Sequence, residues 1–234
     1  MYRFKKKKYI LITLAVILLF CLYNIHHTDF IATILPAKNH NLTIVIDPGH
    51  GGYDPGKIGI NNALEKDINL SVSLFLKEYL ELYNYNVIMT RESDVHLYEE
   101  GCSGKKTDDL NHRIDIIEKS NPILTVSIHQ NSFSDSSVCG AQVFYYEGTA
   151  ASKEIADSIQ TSLINLLNPL KKRSPKSNTS YYLLKNTTSP TIIVECGFLS
   201  NPGEAELLTS EKYQMQIANA ICIGIDNYVN LHHY

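Results

Sequence analysis

The sequence lacks most of the features that mark repeat, stapled or disordered chains. It has no internal repeat and no low-complexity tract, which excludes solenoids, propellers and extended disordered architectures. Five cysteines, Cys21, Cys102, Cys139, Cys196 and Cys222, include no Cys-x-x-Cys pair and are too sparse for a disulfide framework. We expect mostly free thiols, with Cys196 and Cys222 serving as packing residues of a strand and a helix. Acids are missing from the first 25 positions, where Arg3 and Lys5 to Lys8 stand. Without that stretch the basic count falls from 21 to 16 against 24 acids, a formal charge of −8. Such a balance argues against nucleic acid as a partner.

Long apolar runs are also scarce. Only Tyr9 to Tyr23, fifteen uncharged and mostly apolar residues behind the basic flank, has the pattern of a secretory signal or a short signal anchor. No small-x-small cleavage site follows it, and Phe20-Cys21 lacks the small residue that precedes a lipidated cysteine. We therefore expect an uncleaved membrane anchor over residues 1–25, a linker over 26–41 and an exported domain over 42–230. At 44% hydrophobic and 19% charged, that domain can bury a sizeable core.

Three apolar runs inside the domain share one feature. Thr43 to Ile46 is β-branched throughout, is stopped by Pro48 and Gly49, and delivers His50 into the glycine-rich loop Gly51-Gly52-Tyr53-Asp54-Pro55-Gly56. Ile123 to Ile128 ends in His129-Gln130-Asn131, and Pro190 to Val194 ends in Glu195-Cys196-Gly197-Phe198. Glu65 opens an apolar-periodic helix carrying Leu64, Ile68, Val72, Phe75, Tyr79 and Leu82. Open α/β sheets place their sites outside the carboxyl ends of strands, and two histidines with one glutamate match the ligand set of catalytic zinc. Each residue alone has a plainer reading. A histidine after a strand is commonly just hydrogen-bonded, and an acid in a first helical turn is favoured by the macrodipole. Glu195 is harder to dismiss, because a carboxylate directly after four apolar strand residues is costly unless paired or functional.

Taken together, DPGHGGxDPG, Glu65, Ser-Ile-His129-Gln-Asn131 and Glu195-Cys-Gly-Phe-Leu-Ser-Asn201 resemble the zinc-dependent N-acetylmuramoyl-L-alanine amidases of the type-3 family, over roughly Leu42 to Val229. Thr90-Arg91 and Asp94 add to the resemblance, as do Asn111 and Arg113, whose role is not readable from sequence. The resemblance implies Zn²⁺ held by His50, Glu65 and His129, Glu195 as the catalytic glutamate, and peptidoglycan as substrate. A short, anchored chain without wall-binding repeats further resembles germination-specific cortex amidases of endospore formers. That implies a forespore-envelope location, a part in muramic-δ-lactam formation, and an envelope lipoprotein or a peptidoglycan deacetylase as partner. Two other functions fit the same residues less well: a catalytically silent wall-binding scaffold, and a zinc peptidase acting on the stem peptide.

The remaining elements predict an α/β fold with a mainly parallel or mixed sheet of about six strands flanked by helices. Strands are expected over Asn86 to Thr90, Gly140 to Tyr146 and Tyr181 to Lys185. Helices are expected after Thr107 or Asp108 as cap, from Thr149 with Ile155, Ile159, Leu163 and Leu166 on one stripe, from Asn201, and over Glu211 to Tyr228. Val95 to Lys106 reads as a loop at a cleft rim with His96 a solvated loop histidine, and Lys171 to Lys176 as a basic surface loop. Asp47 and Pro48 are expected to shape the His50 loop. Asn131 is assigned either to positioning His129 or the substrate, or to a turn. The terminal pair His232-His233 is expected to be disordered and without a metal role.

Overall fold

The computed structural model describes residues 42–148 and 150–232. The anchor and linker expected over residues 1–41 lie outside them. Among the described residues no helix is long and apolar enough to cross a membrane.

In chain order the elements are β1 (Thr43–Pro48), α1 (Glu65–Leu82), β2 (Asn86–Met89), α2 (Lys105–Ser120), β3 (Leu124–Asn131), β4 (Gln142–Tyr145), α3 (Ala150–Leu167), β5 (Lys176–Ser177), α4 (Tyr182–Asn186), β6 (Thr191–Phe198), α5 (Pro202–Leu208) and α6 (Glu211–Leu231). The six strands form one sheet in the order β2-β1-β3-β6-β4-β5. β2, β1, β3 and β6 run parallel, whereas β4 lies antiparallel to β6. The expected mixed α/β sheet is thus present.

Strand alternation sorts the two faces. Ile44 and Ile46 of β1, Leu124, Val126 and Ile128 of β3, and Ile192, Val194 and Cys196 of β6 enter one large core with α1, α3 and α6. On α1 the buried stripe is Ile68, Val72, Leu76 and Leu80, an i, i+4 ladder; full burial of each such side chain is worth about 1.5–3 kcal/mol. Leu82 and Leu166, expected on core stripes, are 65% and 47% exposed because they fall in the last helical turns, rotated off the buried face. The opposite sheet face carries smaller clusters, Val45 with Ile117 and Leu183, and Phe144 with Leu184 and Ile193. It is therefore only partly covered, and the uncovered end is where the site lies.

Two local expectations are corrected. Tyr182–Asn186 is a helix, not a strand over Tyr181 to Lys185. Leu183 and Leu184 both bury in clusters on the same sheet face, which adjacent residues of a strand would not do. α2 begins two residues before its expected cap, at Lys105 after Gly104. The Asp108 carboxylate instead accepts from Glu99 N at 2.8 Å and ties down the preceding loop. By contrast, Asn201 caps α5 as expected, accepting from Glu204 N at 3.0 Å with Pro202 following.

His232 is also ordered by its surroundings: its Nε2 lies 3.1 Å from Glu154 and its ring 4.4 Å from Tyr228, so the expectation of disorder fails there. His233 lies outside the described residues. Cys102, Cys139, Cys196 and Cys222 are free thiols, with Cys196 and Cys222 buried. Their burial raises the Cys196 and Cys222 pKa values, the latter to about 12, and keeps both thiols protonated.

Candidate metal and catalytic site

Parallel pairing brings the strand ends together. In the β3–β6 register His129 is directly opposite Glu195, and alternation puts both on the face that also carries Ser127 and Ile193. β1 ends beside β3, and His50 leaves it through a left-handed turn with φ of 62°. Glu65, the first residue of α1, reaches the same point from the far side of the loop. One ligand atom from each of His50, Glu65 and His129 lies within 4.8 Å of the others. His50 Nε2 is 3.3 Å and His129 Nδ1 3.0 Å from Glu65 Oε1. Three residues spread over 80 positions thus present a donor set of two imidazoles and one carboxylate.

The surroundings hold each of them. Asp54 Oδ2 lies 2.7 Å from His50 Nδ1; a carboxylate only accepts, so Nδ1 carries a proton, and Nε2 is the nitrogen turned toward Glu65. Glu65 Oε2 accepts from Lys57 N at 2.7 Å, and Oε1 from Gln130 N at 3.1 Å. Burial opposes the charged form of His50, but the Asp54 and Glu65 hydrogen bonds dominate and raise its pKa to about 9. For Glu65 burial works upward, yet the His129 and His50 contacts overcome it and hold the carboxyl far below its usual range.

Glycine is required where these groups crowd the backbone. A Cβ at Gly49 would sit 2.2 Å from the His129 ring, and one at Gly56, whose φ is +67°, would sit 2.6 Å from Glu65 Oε2. The DPGHGGxDPG pattern is therefore a packing constraint around the triad.

Behind the loop stand two buried arginines that sequence reasoning left without a role. Arg113 Nη1 donates to Asp47 Oδ1 at 2.7 Å and to Pro48 O at 2.8 Å, while Nη2 donates to His50 O at 2.7 Å. Arg91 donates to Pro48 O and Gly49 O, both at 3.0 Å, and to Lys66 O at 2.9 Å. Asp47 also accepts from Thr90 and Ser127, each at 2.6 Å. Asp94 accepts from Gly52 N at 2.7 Å and pairs with Lys66 at 2.6 Å. Asp47 does shape the His50 loop, through Arg113. Asn111 accepts from the Tyr182 hydroxyl at 2.9 Å and so fastens α4. Asn131 is the last residue of β3, and its side chain accepts from Ser132 N at 2.8 Å.

Glu195 differs from all of these. It is 9% exposed and its buried Oε2 has no hydrogen-bond partner among the described residues. Burial pushes its pKa up, opposed by His129 and aided by the Glu65 charge, to about 7. It faces a cavity of about 570 Å³ that also exposes His50, His129, Tyr53, Tyr98 and Tyr181. Its volume lies within the range of small-ligand pockets. His96, expected to be a solvated loop histidine, lies in the cavity wall with its ring stacked on Tyr98 at 3.7 Å.

The fold, the donor set and the sequence agree on one class of protein. The type-3 N-acetylmuramoyl-L-alanine amidase family profile matches residues 44–227, and the chain belongs to that family, whose members act on peptidoglycan. It is 43% identical to the germination-specific N-acetylmuramoyl-L-alanine amidase of Bacillus subtilis over 189 residues, covering 79% of this chain and 78% of the relative. Among solved structures, the CwlD amidase from Clostridioides difficile, determined in complex with the GerS lipoprotein, is 43% identical with a TM-score of 0.79. That similarity covers 82% of this chain and all of that one. The amidase AmiC2 of Nostoc punctiforme follows at 30% identity and TM-score 0.72, over 82% of this chain and 99% of that one.

Proposed function

We propose that this amidase hydrolyses the amide between the lactyl group of N-acetylmuramic acid and L-alanine, with Zn²⁺ held by His50, Glu65 and His129 and Glu195 as general base. The observation that carries this reading is the convergence of two imidazoles and one carboxylate beside a buried, unpartnered carboxylate in one cavity. When bound, the ion supplies Lewis acidity, lowering the pKa of a water toward ~7 and polarising a carbonyl.

The protein side chains do the remaining work. Asp54 fixes the His50 ring and its tautomer through the 2.7 Å contact to Nδ1. Glu195 takes the proton of the attacking water and passes it to the nitrogen of the leaving L-alanine. The partly apolar walls, with Leu183 and Ile193, limit bulk water around the reacting atoms. The products are a bare glycan strand and a free stem peptide.

The 43% identity to a germination-specific relative supports action on the spore cortex, where removal of peptides from muramic acid prepares muramic-δ-lactam formation by a deacetylase. The lipoprotein complex of the Clostridioides difficile relative supports an envelope lipoprotein as partner of this chain too. The N-terminal segment over residues 1–25 would anchor the enzyme on the outer side of a membrane in the forespore envelope.

The test is mass spectrometry of muropeptides after incubating the zinc-loaded full-length chain with intact peptidoglycan. Stem peptides beginning at L-alanine are expected, and are absent with Glu195→Ala, which retains stoichiometric zinc. Cleavage within the stem, or wild-type activity in Glu195→Ala, overturns the reading.

A further inference from the structure

The loop over residues 95–104 and the start of α2 form one wall of the cavity, and the reaction above assigns that wall nothing. It is built against the His50 loop. A Cβ at Gly51 would lie 2.4 Å from Val95 O, and one at Gly52 would lie 2.7 Å from His96 N. Its own backbone is tied to α2, with Leu97 N donating to Asp109 at 2.6 Å and Glu99 N to Asp108 at 2.8 Å. The wall is thus a fixed extension of the loop that carries a metal-competent histidine.

Its chemistry is cationic and aromatic. Lys105 Nζ lies over two rings at once, 5.5 Å from the centre of Tyr53 and 5.1 Å from that of Tyr98. Lys106 lines the same cavity. Among the described residues neither lysine forms an ion pair within 4.0 Å of a carboxylate, although acids stand nearby. Those acids are already engaged: Asp54 with His50, Asp109 with Arg113, and Asp108 with Glu99 N. Two ammonium groups without a close ion pair, Lys105 beside a pair of tyrosine faces and Lys106 within electrostatic reach of Asp54, therefore border the cavity of the candidate site inside a domain of net negative charge.

Resting on the amidase reading, we propose that Lys105 and Lys106, with Tyr53 and Tyr98, form a subsite for a free carboxylate of the stem peptide, the first carboxylate beyond the scissile amide. Fixed cations at a cavity wall favour an anionic substrate group over its neutral amide. The tyrosine rings restrict where the Lys105 ammonium can sit, which reduces the ordering cost of that contact. The enzyme then discriminates between stems whose second residue carries a free carboxylate and stems in which it is amidated.

The experiment compares two soluble muramyl peptides that differ only in that carboxylate or carboxamide. The zinc-loaded full-length chain is expected to prefer the carboxylate about tenfold in kcat/KM, the scale of one charge-assisted contact. Lys105→Met collapses the preference toward unity, Lys105→Arg retains most of it, and Lys105→Glu reverses it. Equal kcat/KM for the two substrates in the wild type, or a preference untouched in Lys105→Met and Lys106→Met, overturns the subsite. Binding of the same pair to the Glu195→Gln variant by calorimetry separates the two readings. A carboxylate preference in binding without any turnover by the wild type would sink the amidase mechanism and leave the subsite standing.

Discussion

Two carboxylates on the same sheet face, Asp47 near the end of β1 and Glu195 in the second half of β6, meet opposite fates. Both are nearly excluded from solvent, at 2% and 9% exposure. Asp47 is fully partnered: burial acts to raise its pKa, but the Arg113 charge and the Ser127 and Thr90 hydroxyls bring it down to about 2. Glu195 has one buried oxygen without a partner among the described residues and, chiefly through burial, is pushed up to about 7. Burial therefore does not decide what a carboxylate does; its partners do. Asp47 is a permanent anion that holds the loop of His50 in place, and Glu195 is a group free to exchange a proton near neutral pH.

The comparison can be broken in order of effect. Removing the metal site altogether, by His129→Ala or His50→Ala, is expected to abolish both zinc binding and hydrolysis, read by metal analysis and muropeptide release. Full zinc occupancy in either variant would end the ligand assignment. Glu195→Gln should lower kcat by about 10²–10⁴-fold while leaving zinc in place, the range for loss of a general base. Arg113→Met strands Asp47 as a buried charge and should cost about 3–5 kcal/mol in denaturant unfolding, as breaking a buried pair does. A loss under about 1 kcal/mol would show that the surrounding hydroxyls suffice.

The smallest effect is on pH dependence and sharpens the contrast. In metal-free protein Glu195 has a folded pKa of about 7 against an ordinary value of 4.5, so its stabilising protonation is complete below pH 4.5 and lost as pH rises through about 7. Asp47 runs the other way: its contribution is present above pH 3.8 and lost as pH falls through about 2. Thermal unfolding of chelated wild type should thus fall between pH 4.5 and 7 more than that of Glu195→Gln. Identical slopes in the two proteins would mean that Glu195 does not titrate in that window.

Legibility in the sequence varied with the range of the interaction. The three strand ends, the glycine loop and Glu65 could be read because β-branched runs, proline stops and helical periodicity are local signals. Arg91 and Arg113 were visible only as polar positions of a resemblance, since the carbonyls of the His50 loop that they bind are more than 40 positions away. Asp54 had a readable cue, four residues after His50 in a loop too short to carry it elsewhere, and it went unassigned. His96 looked like a solvated loop residue because stacking on Tyr98 against a neighbouring loop leaves no local pattern.

By itself the sequence singled out His50, Glu65, His129 and Glu195 as candidates and tied three of them to apolar strand runs, because alternation and turn residues act over a few positions. The tertiary structure alone decided that β6 pairs with β3, so that Glu195 faces His129, and that Leu183 and Leu184 enter a helix instead of a strand. It also decided that Lys105 joins the cavity wall. Those outcomes depend on which apolar faces and buried charges find each other across the whole domain. That is a matter of packing and desolvation that no window of the sequence contains.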